Sequence, residues 1–125
     1  MTIRLLQIDG KIPNLALMRL AAHHTEQGNE VVYHRADSML SVHPFQFGID
    51  DQIYASAIFR RSLPILEQLK WGRPDAIIGG TAVDPLRPDE VLPFPLSPLI
   101  QPEVTALEKC GVTTDLMDYS IYPHF

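Results

Sequence analysis

Three short runs hold the residues whose types and spacing could do chemistry. They are Asp9-Gly10-Lys11-Ile12-Pro13-Asn14, Ser56-Ala57-Ile58 and Gly79-Gly80-Thr81. The first offers a carboxylate, an ammonium and an amide beside a glycine that permits a tight turn. The second sets a hydroxyl between small side chains, which leave room for a planar ring system to enter. The third pairs two glycines, which allow positive φ and close approach of a ligand to the backbone. Each run also has a plainer reading. Asp9 can satisfy local backbone donors of a strand-to-helix turn, Ser56 can bond to its own neighbouring backbone, and Gly79-Gly80 can be a simple turn.

The elements that must position these runs follow from periodicity. Ile3–Ile8 is a short apolar segment and reads as a first strand. Pro13 suits the first turn of a helix, in which Leu17, Met18, Ala21 and Ala22 recur at helical spacing before Gly28 ends it. Val31-Val32-Tyr33 then gives a second strand, and a strand–helix–strand unit implies parallel pairing with a right-handed crossover. Residues 36–50 read as irregular. Gln52–Phe59 reads as a third strand, apolar enough to be buried on both faces. Arg60–Trp71 fits a second helix with Leu63, Ile65, Leu66 and Leu69 inward, stopped by Gly72 and Pro74, and Asp75–Ile78 is a fourth strand.

Beyond residue 84 the chain changes. Pro85, Pro88, Pro93, Pro95, Pro98 and Pro102 forbid a long helix or a central strand across 84–103. Val91, Leu92, Phe94, Leu96, Leu99 and Ile100 are too apolar for a mobile linker, so this insertion is expected to pack on the domain. A short third helix over 102–111, a last strand over 112–117 and an exit segment over 118–125 complete the reading. The expected fold is α/β: one domain over 1–125, a doubly wound (Rossmann-like or flavodoxin-like) parallel sheet of about five strands, with helices on both faces. All three chemical runs then fall at carboxyl ends of strands, where open parallel sheets bind ligands.

Bulk properties narrow the function. The 125 residues carry a net charge of −5, and Arg60-Arg61, read as solvated or paired, is the nearest approach to a basic patch; no nucleic-acid partner is expected. No apolar run reaches the roughly 18 residues of a membrane span, and no basic leader precedes an apolar core, so a cytoplasmic protein with no membrane partner is expected. Cys110 is the only cysteine; it cannot form an internal disulfide or alone hold zinc or an iron–sulfur cluster. His23 and His24 point about 100° apart on a helix, and His34, His43 and His124 are dispersed, so no protein metal site is expected. A Gly-x-Gly-x-x-Gly fingerprint, a receiver aspartate after the third strand, a Ser/Thr-rich flavin phosphate loop and a nucleophile turn are all absent.

Taken together, the three runs resemble the cobalamin-binding domains of the methionine-synthase and mutase type. Those carry Asp-x-His-x-x-Gly, then Ser-x-Leu, then Gly-Gly, on a doubly wound sheet. Here Asp9, Lys11 and Asn14 stand at the positions of the aspartate, histidine and glycine. Residues 15–55 separate Asn14 from Ser56, the gap that family shows, and Gly79-Gly80 follows after a slightly shorter one. The chain is more closely similar to the amino-terminal domain of cobalamin-dependent radical SAM proteins. Lys11–Met18, Gln27–Val31, Ile78–Thr81 and Asp118–Pro123 carry that resemblance, which covers most of the chain. In that group the exit segment leads into a barrel with a Cys-x-x-x-Cys-x-x-Cys motif, which this sequence lacks.

The resemblance implies a domain of a larger protein. Its partner would be a carboxyl-terminal radical SAM domain, which alone would carry the iron–sulfur cluster and SAM. The domain itself is expected to hold cobalamin through Asp9, Gly10, Lys11, Ile12, Pro13, Asn14, Ser56, Ala57, Gly79, Gly80 and Thr81, and to contribute no catalytic residue. A lysine ammonium has three donors and no lone pair, so no protein histidine would ligate cobalt. The dimethylbenzimidazole tail would enter beside Ser56 and Gly79-Gly80, and Lys11 would donate to corrin amides or pair with Asp9. The competing expectation is a cofactor-free docking module, with Asn14 narrowing the slot and residues 91–100 meeting the barrel.

Overall fold

Alternation along the first strand sorts the core into two faces. In the computed structural model, which describes residues 2–10, 14–38, 42, 47–94, 98 and 100, β1 (Thr2–Gln7) is flanked by β2 (Glu30–Arg35) and β3 (Gln52–Ser56), with β4 (Ile77–Gly79) outside β3. All three pairings are parallel. Ile3 and Leu5 of β1 and Tyr54 of β3 pack with Leu17, Leu20 and Ala21 of α1 (Leu15–Glu26). Leu6, Ile8, Ile53 and Ala55 pack with Leu63, Leu66 and Leu69 of α2 (Leu63–Gly72). Successive side chains of a strand face opposite sides, so each face of the sheet carries one helix. This is a parallel α/β arrangement, as the periodicity implied.

Local chemistry sets where the elements begin and end. Asn14 caps α1, its Oδ1 accepting from the Leu17 N–H at 3.1 Å, so the helix begins after Asn14; Pro13 lies outside the described residues. Gly28 ends the α1 turn at φ 81°. Its N–H donates to the Thr25 carbonyl, and that of Asn29 to the His24 carbonyl. The second helix does not start at Arg60. Residues Arg60–Ser62 form a 3-10 turn and α2 follows, with a proline in its first turn. β4 starts later than the sequence suggests because the Ala76 N–H closes a turn onto the Arg73 carbonyl. β3 stops after Ser56: the Ala57 N–H still donates to the Gly79 carbonyl, but those of Ile58 and Phe59 turn to Asp9.

The proline-rich insertion covers the α2 side of the core. Leu92 and Phe94 pack against that cluster and Ile100, 3% exposed, belongs to it, whereas Val91 faces solvent. The short helix expected over 102–111, the fifth strand over 112–117 and the exit segment over 118–125 lie outside the described residues, as do Lys11 and Ile12. At the amino edge, Arg73 donates to the carbonyls of Gly48 and Asp51, and Arg4 pairs with Asp51 at 2.9 Å, which fixes the loop entering β3. Among the described residues no helix is long and apolar enough to cross a membrane.

Candidate ligand site at the carboxyl edge of the sheet

Parallel register puts four residues on the last rung of the sheet. Arg35 of β2 pairs with Gln7 of β1, Gln7 with Ser56 of β3, and Ser56 with Gly79 of β4. Two of the three chemical runs are therefore adjacent on one rung, and the third, Asp9–Asn14, leaves the strand beside them. The buried polar or charged residues among those described are Gln7, Asp9, Ser56 and Ser62, and all four lie at this edge. Burying such groups costs free energy unless they are hydrogen-bonded, so their concentration here needs an account.

Three of them are tied into a lattice. Asp9 does not serve its own turn. Its carboxylate accepts the N–H groups of Ile58 at 2.7 Å and Phe59 at 3.0 Å, joining the loop after β1 to the loop after β3. Ser56 does not bond to its neighbouring backbone either; its Oγ accepts from Asn14 Nδ2 at 2.7 Å. Alternation explains this: Ser56 lies two residues beyond Tyr54, on the α1 face, where the α1 cap sits. Gln7 Nε2 donates to the carbonyls of Asp9, at 3.2 Å, and Gly10, while Tyr33 donates to its Oε1 at 2.9 Å. That fixes the turn at Gly10, whose φ is 87°.

The loop after β4 closes on the same edge. Gly80 adopts φ 94°, and a Cβ there would lie 2.2 Å from the Ala57 carbonyl oxygen and 2.9 Å from Ser56 Oγ. No side chain fits. The Ala82 N–H donates to the Ala57 carbonyl at 3.0 Å and Thr81 Oγ1 to the Ile58 carbonyl at 2.7 Å. Arg60 fastens the rest of that loop. Its guanidinium is bidentate to Glu90, at 2.8 and 3.0 Å, and also donates to the carbonyls of Ala82, Asp84 and Pro85. The hydrogen bond from Arg60 holds the Glu90 carboxyl below its ordinary range.

The structure thus brings together Asp9, Gly10, Asn14, Ser56, Ala57, Gly79, Gly80 and Thr81. Lys11, Ile12 and Pro13 lie outside the described residues. Gln7, Arg61 and Ser62 also stand at this edge, and the sequence reading did not select them. For Gln7 a signal was present, since an amide inside the apolar run Ile3–Ile8 needs a partner. A cleft of about 530 Å³ opens where the loops after β1 and β3 part, walled by Asp9, Arg35, Asp37, Phe59, Arg61 and Ser62. Among the described residues no group of three or more His, Cys, Asp or Glu is placed to hold a metal ion. No family model, no curated protein and no solved structure matches this chain.

Proposed function

We propose that this chain is a cobalamin-binding-type domain of a radical SAM protein, holding a corrinoid at the carboxyl edge of its sheet without a protein histidine on cobalt. The fold proposed with it is a doubly wound sheet of about five strands, the fifth supplied by residues 112–117. One observation carries the reading: every buried polar residue described gathers at the edge where Asp9, Ser56 and Gly79-Gly80 converge. Loops that leave two adjacent parallel strands, here β1 and β3, toward opposite faces of the sheet make the place where such folds take ligands.

A corrinoid would fit these residues after two local movements. Ser56 is 1% exposed and held by Asn14, and the space beside Gly80 is closed, since a Cβ there would lie 2.2 Å from the Ala57 carbonyl oxygen. A nucleotide tail entering beside Ser56 therefore requires Asn14 to release its hydroxyl and the Gly80–Thr81–Ala82 turn to draw back. Ser56, Ala57, Gly79, Gly80 and Thr81 would then line the tail, and Asp9, Gly10, Lys11, Ile12, Pro13 and Asn14 would face the ring. Cobalt chemistry would come from the cofactor itself, for use by the SAM- and cluster-bearing partner domain.

The closed contact at Gly80 also favours the second reading, a cofactor-free docking module. Against it, Leu92, Phe94 and Ile100 spend their apolar surface on the chain's own core. The test is direct. Purified protein is mixed with hydroxocobalamin, desalted and read in the visible range. Colour retained by the wild type and lost in Ser56→Trp supports a corrinoid site. Colourless protein, with Ser56→Trp making no difference, gives the docking module.

A further inference from the structure

The cleft between the loops after β1 and β3 has a composition that the corrinoid reading does not use. Arg35 reaches it from the end of β2 and Arg61 from the 3-10 turn before α2. Two guanidinium groups from separate elements thus border one cavity of about 530 Å³. The Arg61 guanidinium rests 4.3 Å from the centroid of the Phe59 ring, which restrains it beside the opening. Ser62, 6% exposed, lines the same cleft from the amino end of α2, where it makes no side-chain capping bond. Its hydroxyl therefore borders the cleft with no capping duty and can donate to a ligand held there.

Two carboxylates also border the cleft. Both Asp9 oxygens are already engaged by the N–H groups of Ile58 and Phe59, which disperses that charge. Asp37 lies 3.8 Å from Arg35 Nε in an exposed pair, a contact weak enough to yield to a better acceptor. What remains is a pair of guanidinium groups and a hydroxyl lining one cleft. Guanidinium groups are the usual partners of phosphate oxygens.

We propose that this cleft binds the phosphate group of a small phosphorylated ligand of nucleotide size, through Arg35, Arg61 and Ser62. The cavity volume lies in the range of small-molecule sites. The site is separate from the Ser56 and Gly79-Gly80 slot, shares only Asp9 and Gly10 with the residues proposed to face the ring, and does not depend on a corrinoid.

Calorimetric titration of the folded chain at low salt, with ADP, inorganic pyrophosphate and adenosine as probes, tests this. ADP and pyrophosphate are expected to bind and adenosine is not. Arg35→Gln and Arg61→Gln should each weaken ADP about tenfold or more, and Ser62→Ala about three- to tenfold. Asp37→Asn removes the competing carboxylate and should tighten ADP several-fold; this surface change keeps the test alive if an arginine variant fails to fold. The proposal is overturned if neither ADP nor pyrophosphate binds, if adenosine binds as well as ADP, if the double arginine variant keeps its affinity, or if Asp37→Asn weakens binding. ADP binding by protein that retains no hydroxocobalamin would uphold this site while refuting the corrinoid reading.

Discussion

Asn14 Nδ2 donates to Ser56 Oγ at 2.7 Å, across a sequence separation of 42 residues. The same side chain caps α1 through Oδ1. One amide therefore starts a helix, satisfies the hydroxyl of a residue that is 1% exposed, and closes the place where a ligand tail would enter.

Replacing Asn14 separates these duties. Asn14→Ala should lower the unfolding free energy by about 2 kcal/mol, from a lost cap and a lost buried hydrogen bond. Asn14→Gly, tolerated at caps, should cost about 1 kcal/mol. Urea denaturation of Asn14→Ala, Ser56→Ala and the double variant should give a coupling of about 1 kcal/mol. Additive losses would mean that the contact contributes nothing.

Asp9 joins two strands' ends. Asp9→Ala leaves two loop N–H groups without acceptors and should cost about 2–4 kcal/mol, and Asp9→Asn, which keeps one acceptor oxygen, about half as much. Denaturant midpoints at constant m would check the order. Equal losses for the two substitutions would show that the second oxygen is idle.

The glycines of the loops are not equivalent. Gly28 and Gly80 both have positive φ, but a Cβ at Gly28 meets nothing within 4 Å, while one at Gly80 meets the Ala57 carbonyl oxygen at 2.2 Å. Gly28→Ala should cost only the backbone strain, about 1–2 kcal/mol. Gly80→Ala should cost more than 3 kcal/mol, because the turn must also leave the sheet edge. Thermal melts of both variants would show whether the edge is packed as tightly as this.

Much of this edge was legible in the sequence. Asp9, Ser56 and Gly79-Gly80 each follow an apolar run, and parallel pairing of those runs was enough to place them together. Their partners were not legible. Local turn chemistry pointed Asp9 and Ser56 to their own backbones, yet both bond across the sheet, because register brings Gln7, Ser56 and Gly79 onto one rung. The strand ends shifted for the same reason: N–H groups that would extend β3 are taken by Asp9. Arg61 and Ser62 read as the opening of a helix, and only the 3-10 turn sets them at the cleft.

Acid should weaken the fold in two stages. Burial, reinforced by Arg4 for His34 and by His23 for His24, holds both imidazoles below their ordinary value of 6.5. Arg4 Nη1 lies 2.9 Å from His34 Nε2, a contact that needs the neutral acceptor. The folded state thus binds fewer protons than the unfolded one, so this stability is present above pH 6.5 and is lost as pH falls below it. Asp51 and Asp75 form the second stage. Burial raises the Asp51 carboxyl, but the Gly48 N–H and Arg4 outweigh it; the Arg73 hydrogen bond lowers Asp75 against a smaller effect of burial. Their contribution is lost below their ordinary value of 3.8. Urea midpoints from pH 8 to pH 3 should fall in both windows, and His34→Gln should flatten the first.

The proposed corrinoid site is tested most directly by amide chemical shifts of isotopically labelled protein titrated with hydroxocobalamin. Binding at the carboxyl edge predicts saturable shifts concentrated on Gly10, Asn14, Ser56, Ala57, Gly80 and Thr81, with Gly48, Asp51 and Trp71 at the far end unmoved, and weaker or absent shifts in Ser56→Trp. An unchanged spectrum at excess hydroxocobalamin, or shifts confined to the Gly48–Asp51 end, would contradict it.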